Sequence, residues 1–329
     1  MGTMGKESRV ESLYQYWRDA GYPHYDREQY NAVHELDSII KFDTRELIDG
    51  KDILQTMHGL GFLWTFFPHW VDVKYPNQEK TIIELWNDDD KLRELCRKTI
   101  DWCDKHEDGK VSVNRIRQNS KVYLNKQTVS NFRPTAAKYI YNTYGNQGIV
   151  WDMCAGWGGR LLGFLASNCE RYYGTEPSTK SYEGLVNLKE EYNKGILYKE
   201  FKDVEILNVC AEDWIPSTQV DLCFTSPPYF DTEQYAFETT QSYMRHPTKE
   251  RWIDGFLGEM MTGCHVCLKP GGHMIINIAN TPKQDWIEDA TKHVAQVEGF
   301  ELVDTLHLVL SSIAGKGIKR EPIFVFQKT

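Results

Sequence analysis

The run Thr225-Ser226-Pro227-Pro228-Tyr229-Phe230-Asp231 follows an apolar stretch, Val220–Phe224. Proline supplies no backbone N–H, so two in succession stop a strand and leave a stiff, extended turn. Such a turn is either a plain strand terminator or a rigid rack that points a hydroxyl, a carbonyl and a ring at a ligand. The neighbouring motifs decide between the two.

One neighbour is the glycine-rich segment GIVWDMCAGWGGRLLGFLA, residues 148–166. It reads as a strand, a turn and a helix. Gly156, Gly158 and Gly159 let the backbone approach a ligand closely and take positive φ. In an open α/β sheet the ligand crevice lies at the carboxyl ends of the strands, where Asp152 stands. The dinucleotide fingerprint GxGxxG fails at Leu161, and the spacing GxxxxGK[ST] is absent. A second acid, Glu176 in RYYGTEPS, ends the next strand, where a carboxylate accepts hydrogen bonds from both hydroxyls of a ribose. Glu212 and Asp213 follow a third strand. Each is either an acceptor for an adenine amino group or a solvated turn residue. The set describes a nucleoside site with no phosphate loop, which fits S-adenosyl-L-methionine.

Taken together, DMCAGWGG, Glu176 and TSPPY resemble the amino-methyltransferases of DNA, which methylate the exocyclic nitrogen of cytosine or adenine. The resemblance covers residues 130–329. It implies a class I methyltransferase fold: α/β, Rossmann-like, seven mostly parallel strands with an antiparallel last strand, here PIFVFQK. It implies that Asp152, Cys154, Ala155, Gly156 and Gly158 form the cofactor loop and that Glu176 holds the ribose. Asn131-Phe132-Arg133-Pro134 resembles the segment that closes over the methionine end, which assigns Arg133 and Pro134 to the cofactor. Ser226, Pro227, Pro228 and Tyr229 resemble the catalytic motif. An aromatic amine is a poor nucleophile because its lone pair is delocalised. Acceptors at Ser226 Oγ and the Pro227 carbonyl would hold its N–H bonds, and Tyr229 with Phe230 would stack on a flipped base. No metal and no covalent intermediate is required.

The implied function is site-specific DNA methylation of the restriction–modification kind, with double-stranded DNA as partner. Serine at the head of the motif favours cytosine N4, while the segment order resembles adenine N6 enzymes. RNA, a free nucleotide and a protein glutamine present the same planar amine and stand as alternatives, as does a binding protein that has lost catalysis.

These motifs need elements to carry them. GIVWDMC, RYYGTE, VEILNVC, VDLCF, GHMIINIAN, FELVDTLHLVL and PIFVFQK read as strands, with SYEGLVNLKEEYNKG, ERWIDGFLGEMMTGCHVC and KQDWIEDATKHVAQVEG as helices between them. That alternation predicts an α/β sheet covered by helices. Residues 131–329 form the predicted catalytic domain. Residues 1–130 form a mainly helical accessory or target-recognition region. Phe230–Glu250 is long for a loop and is expected beside the base pocket, ordering when substrate binds. The aromatic stretch HGLGFLWTFFPHW is a packed core seam or a docking surface.

The chain has 329 residues and a net charge of -9, which disfavours a general nucleic-acid coat protein but leaves room for a local basic groove. Lys110–Gly145 holds no Asp or Glu. Its Lys110, Arg115, Arg117, Lys121 and Lys126 are expected either to contact phosphates or to form a solvated surface loop. The eight cysteines are scattered and mostly in apolar contexts, which predicts reduced, buried thiols and an intracellular, cytoplasmic setting. Cys264-His265-Val266-Cys267 lacks a second ligand pair and reads as a helix end. The longest apolar run, Gly59–Phe67, is too short to span a membrane.

Overall fold

The computed structural model describes residues 5–76, 78–124, 128–195, 202–310 and 318–329. Lys126 lies outside them. The described chain divides into two compact units. One comprises Met1–Tyr25, Pro68–Ser130 and Glu233–Ala236, and the other Asp26–Phe67, Asn131–Thr232 and Phe237–Thr329.

The larger unit holds a single nine-stranded sheet. Its strands are β1 (Ile48–Asp49), β2 (Asp52–Ile53), β3 (Ile149–Asp152), β4 (Arg171–Thr175), β5 (Asp203–Leu207), β6 (Val220–Thr225), β7 (Leu268–Asn277), β8 (Phe300–Leu310) and β9 (Lys319–Lys328). They lie in the order β1-β2-β8-β9-β7-β6-β3-β4-β5. β5, β4, β3, β6 and β7 run parallel, while β9 is antiparallel to both β7 and β8. All seven strands expected from the sequence are present, and the antiparallel one is PIFVFQK. The order reverses direction beside β3, the first strand of the parallel set, the place where open α/β sheets bind their ligands.

The apolar runs follow from the layering. Every residue of β6 is buried, because parallel strands are covered on both faces. Buried Asp221 in that strand is held by Lys269 at 2.8 and 2.9 Å and accepts the Ile149 N–H at 2.9 Å, which ties the start of β3 to β6. The three expected helices form as Thr179–Gly195, Ile287–Val297 and a run from Lys249 to Cys267 that passes through a π-helical stretch, Ile253–Gly258. Cys264 and Cys267 end that run inside the core, with Cys267 Sγ 3.8 Å from Cys223 Sγ. All eight cysteines are free thiols and only Cys154 escapes full burial.

The units part between Ser130 and Asn131, and the first 130 residues are shared between them. Residues 26–67 pack with the sheet. They supply β1 and β2, and β2 extends the sheet alongside β8. Two-residue strands carry no alternation for a sequence reading to detect. The aromatic stretch is a core seam: Leu60, Phe62, Leu63, Trp64 and Phe67 are buried. Trp64 and Phe67 lie 5.8 and 6.0 Å from the Trp157 ring, so the seam underlies the glycine turn.

The smaller unit is helical. Its longest helices are Lys6–Ala20 and Asp89–His106. Trp17, Tyr22, Trp70 and Trp86 meet edge to face in its interior. Residues Glu233–Ala236, from the insert after TSPPYFD, belong to this unit. Gln234 and Lys74 exchange both backbone hydrogen bonds, at 2.8 and 3.2 Å.

Candidate active site

β3 ends at Asp152, and the chain turns through Met153–Gly158 into the helix Gly159–Leu165. Gly156 has φ +58, and a Cβ added there would meet only the Cys154 carbonyl, at 3.6 Å. That face of the turn is open. The opposite face is closed: a Cβ on Gly159 would collide with the Phe132 carbonyl. Asn131 explains the close approach. Its Oδ1 accepts the Gly159 N–H at 3.1 Å and its Nδ2 donates to the Trp157 carbonyl at 2.7 Å. The Asn131–Pro134 segment is thereby stitched to the turn. Pro134 is buried as the first residue of the helix Pro134–Tyr144, so it sets the direction of that helix and is covered from a ligand.

The acids differ from one another. Glu176 is buried, and each of its oxygens accepts one backbone N–H, Gly156 at 2.8 Å and Ser178 at 2.9 Å. Each oxygen keeps a lone pair in reserve. Burial pushes its carboxyl up to about 7, against the pull of those two N–H groups. Asp152 corrects the expectation. It is wholly buried, with Oδ2 accepting from Arg160 Nε at 2.8 Å and Tyr172 Oη at 2.9 Å, and Oδ1 accepting from Thr225 Oγ1 at 2.8 Å. A carboxylate with three internal donors braces the turn from below. Ala155 is likewise buried, its N–H spent on the Thr175 carbonyl at 3.0 Å. Burial raises the Cys154 thiol well above its ordinary value, which leaves it uncharged.

Glu212 and Asp213 sit in the turn Ala211–Asp213 after β5. Neither is a simple solvated residue. Arg245 binds Asp213 through both oxygens, at 2.6 and 3.1 Å, and reaches Glu212 at 3.0 Å. His246 stands 3.3 Å from Glu212. Burial raises the Glu212 carboxyl despite these partners, while Arg245 holds Asp213 low. Arg245 and His246 belong to the insert. The insert also reaches the start of the helix Thr179–Gly195, where Glu238 accepts from Thr179 N at 3.2 Å and Thr179 Oγ1 at 3.1 Å. It therefore contacts the turn after β5 and the start of the helix after β4, and carries two helical turns, Ser242–Arg245 and Lys249–Trp252.

Arg133 is half-buried, and burial lowers its guanidinium from the ordinary value. Its Nε donates to the neutral Gln55 carbonyl at 2.9 Å, and no carboxylate pairs with it among the described residues.

TSPPY lies at the end of β6, next to β3. Thr225 joins the two motifs: its Oγ1 accepts the Cys154 N–H at 3.0 Å while donating to Asp152. Pro227 is buried, and Ser226, Pro228 and Tyr229 are half-buried. Ser226 Oγ has no hydrogen-bond partner among the described residues. Phe230 corrects the expectation that it stacks on substrate. Its ring packs 5.9 Å from Trp252 and 6.0 Å from Trp286, so it anchors the turn inward. Thr225 was visible in the motif but hidden as a linker, because its partners are 71 and 73 residues away.

The basic stretch is also corrected. Arg117 is buried at 3 % exposure and donates to the Pro23 carbonyl at 3.3 Å, the His24 carbonyl at 3.0 Å and Asn114. Arg115 pairs with Glu107 and lies 3.4 Å over the Trp102 ring. The Lys121 ammonium sits 4.3 Å from the Trp70 ring centroid. Lys110 is exposed. A missing acid in the local sequence did not mean unpaired cations, because acids, carbonyls and rings arrive from elsewhere in the unit.

No protein-family model matches the chain, and no curated protein matches it. Solved structures do. A methyltransferase from Pyrococcus furiosus is 14% identical, with 63% of this chain and 92% of that chain covered and a TM-score of 0.40. A SAM-dependent O-methyltransferase from Thermotoga maritima is 11% identical, covering 64% and 70% at 0.40. A TehB-like SAM-dependent methyltransferase from Corynebacterium glutamicum is 14% identical, covering 65% and 95% at 0.39. Likeness at this level carries no argument about activity. The strand order and the one antiparallel strand between β7 and β8 carry the assignment: the chain has the α/β, Rossmann-like fold of the class I methyltransferases.

Proposed function

We propose that the protein is an S-adenosylmethionine-dependent methyltransferase acting on the exocyclic amine of a nucleobase. The observation that carries this reading is Thr225, whose hydroxyl fastens the head of TSPPY directly to the glycine turn. A donor held at the turn and an amine held at the serine would then be neighbours.

The residues fit the cofactor. Glu176 has acceptor capacity left for two ribose hydroxyls, and Gly156 leaves room above the turn. Arg133, half-buried without an acid, suits the carboxylate of a methionine moiety. Bound there, the cofactor supplies an electrophilic methyl group on a sulfonium sulfur. Everything else is asked of the protein. Ser226 Oγ and the Pro227 carbonyl would accept the two N–H bonds of the amine, which turns its lone pair out of conjugation. The two prolines fix those acceptors before substrate arrives, so no reorganisation is spent at the moment of reaction. Tyr229 would stack on the base, worth about 1–3 kcal/mol.

The carrier of the base follows from the basic stretch. With Arg115 and Arg117 spent internally, a phosphate-tracking groove for duplex DNA loses its main cations. The same loss weighs against any long polyanion, so a short single strand of RNA or DNA, or a free nucleotide, is favoured, with cytosine N4 as the target implied by the serine. Transfer of labelled methyl to duplex DNA, single-stranded DNA, RNA and nucleotides, followed by nucleoside mass spectrometry, tests both points. Label on a base nitrogen supports the reading. Label on ring carbon, on ribose oxygen or on protein alone overturns it.

A further inference from the structure

Phe230 adopts φ +56, a left-handed backbone that favours glycine, asparagine and aspartate and strains a bulky ring. It occupies the second position of a tight turn, Tyr229–Thr232, closed by the Thr232 N–H on the Tyr229 carbonyl at 3.2 Å. Positive φ at that position belongs to the primed turn types, where phenylalanine is uncommon. Something must hold it there.

Three side chains do. Trp252, fully buried, and Trp286 receive the Phe230 ring edge to face. Gln284, 8 % exposed, fixes the next residue: its Nε2 donates to Asp231 Oδ1 at 2.7 Å. The amide cannot flip, because its Oε1 accepts the Trp286 indole N–H at 2.9 Å and an indole can only donate. Trp286 therefore both packs on Phe230 and orients the donor that holds Asp231. Gln284 is itself pinned, its N–H donating to Thr281 Oγ1 at 3.1 Å.

We propose that Gln284 and Trp286 are positioning residues for the amine pocket: they hold the strained Tyr229–Thr232 turn and so set where the Tyr229 ring and the preceding Pro227 carbonyl point. This rests on the function proposed above. The cofactor-binding residues Glu176 and Arg133 make no contact with this socket among the described hydrogen bonds, so loss of the socket should leave cofactor binding alone.

The test is single-turnover methyl transfer with saturating labelled cofactor. The probes are a mixed-sequence RNA oligonucleotide, the same sequence as single-stranded and as duplex DNA, and nucleoside monophosphates. Gln284→Ala and Asp231→Ala should each lower the transfer rate by about tenfold or more, the scale of a misaligned pocket. The double variant should be no slower than either single one, since both cut the same link. Asp231→Asn keeps an acceptor for Gln284 Nε2 and should retain most of the rate. Trp286→Phe keeps the ring but drops the indole N–H, and serves where Gln284→Ala fails to fold. It should slow transfer by a smaller factor. Calorimetric affinity for the cofactor should stay at the parent value throughout. Rates equal to the parent's in Gln284→Ala or Trp286→Phe overturn the inference while the function stands. So does additive loss in the double variant, or an Asp231→Asn as slow as Asp231→Ala. A parent that methylates none of the probes overturns the function, and the inference with it.

Discussion

The basic stretch Lys110–Lys121 and the TSPPY turn look alike as sequence. Each is a short run of unusual composition, cations in one and hydroxyls framed by prolines in the other, and each suggests a binding site. The fold treats them in opposite ways. Arg117 is surrounded by two carbonyls and an asparagine, and Arg115 by a glutamate and an indole. Ser226, at the end of a fully buried strand, is left without a partner among the described residues. The same contrast separates Asp152, saturated by three donors, from Glu176, which keeps lone pairs open. A residue type says what chemistry is available. Unspent hydrogen-bonding capacity says where that chemistry is offered outward.

The largest effect should come from the open side of the contrast. Ser226→Ala removes one of the two proposed acceptors for the amine. Loss of a single preorganised hydrogen-bonding group at a reacting centre costs about 10²–10³-fold in rate. Cofactor affinity should hold, because Glu176 and Arg133 are untouched. Single-turnover rates with a folded, cofactor-saturated variant measure this. A parental rate would make TSPPY a strand stop and erase the distinction between the two regions.

On the spent side, the expected loss is of stability. Arg117→Ala strips the Pro23 and His24 carbonyls and Asn114 of their donor in a buried setting. Unsatisfied buried polar groups of this kind cost about 3 kcal/mol together. Urea unfolding should show a lower midpoint. A change under about 0.5 kcal/mol, the usual range for surface substitutions, would place the side chain in solvent and return it to the list of phosphate contacts.

These two variants also mark how far the sequence could be read. The sheet was legible because its strands are continuous apolar runs bounded by turns, and because the glycine turn, Glu176 and TSPPY fall at the ends of three strands, β3, β4 and β6, that neighbour one another in the sheet. What stayed hidden depended on long-range partners. Asp152 reads as a cofactor acid until Arg160, Tyr172 and Thr225 are seen around it. Phe230 reads as a stacking ring until Trp252 and Trp286, 22 and 56 residues on, are found against it. β1 and β2 are too short to show alternation, so residues 26–67 gave no sign of joining the sheet. Arg245 stood in an insert expected to face the base, yet it grips Glu212 and Asp213 in the turn after β5.

A smaller effect is expected with pH. Burial raises Glu176 to about 7, so the ligand-free protein binds a proton there that the unfolded chain has lost above about 4.5. Stability therefore falls as pH rises from about 4.5 to about 7, and levels off above. Cofactor binding runs the other way. In the proposed site, ribose hydroxyls would donate to the ionised Glu176 carboxylate, so a proton would compete with them. Affinity should rise by up to about tenfold per pH unit below 7 and flatten above it. Calorimetry from pH 5 to pH 9 would show the bend, and Glu176→Gln should remove it. An unbent profile in the parent would mean that Glu176 is as closed as Asp152.

The smallest effect tests the closed side where it is most exposed. Arg115 stands at the edge of the basic stretch, with its side chain 20 % exposed and Glu107 at 36 %. The pair is partly solvated, and such pairs contribute about 0–1 kcal/mol. The guanidinium also covers the Trp102 ring, worth roughly 0.5–1 kcal/mol at an exposed site. Arg115→Gln should therefore lower stability by no more than about 1 kcal/mol. If its charge is spent within the helical unit, removing it leaves nucleic-acid affinity and the salt dependence of that affinity at parental values. If instead Arg115 leaves Glu107 for a phosphate when substrate binds, the slope of log affinity against log salt loses about one unit. Titrations at several salt concentrations with the best-methylated nucleic acid decide between them. The second outcome would show that an ion pair at the surface can be a resting place for a binding cation, and that only full burial, as at Arg117, counts as spent.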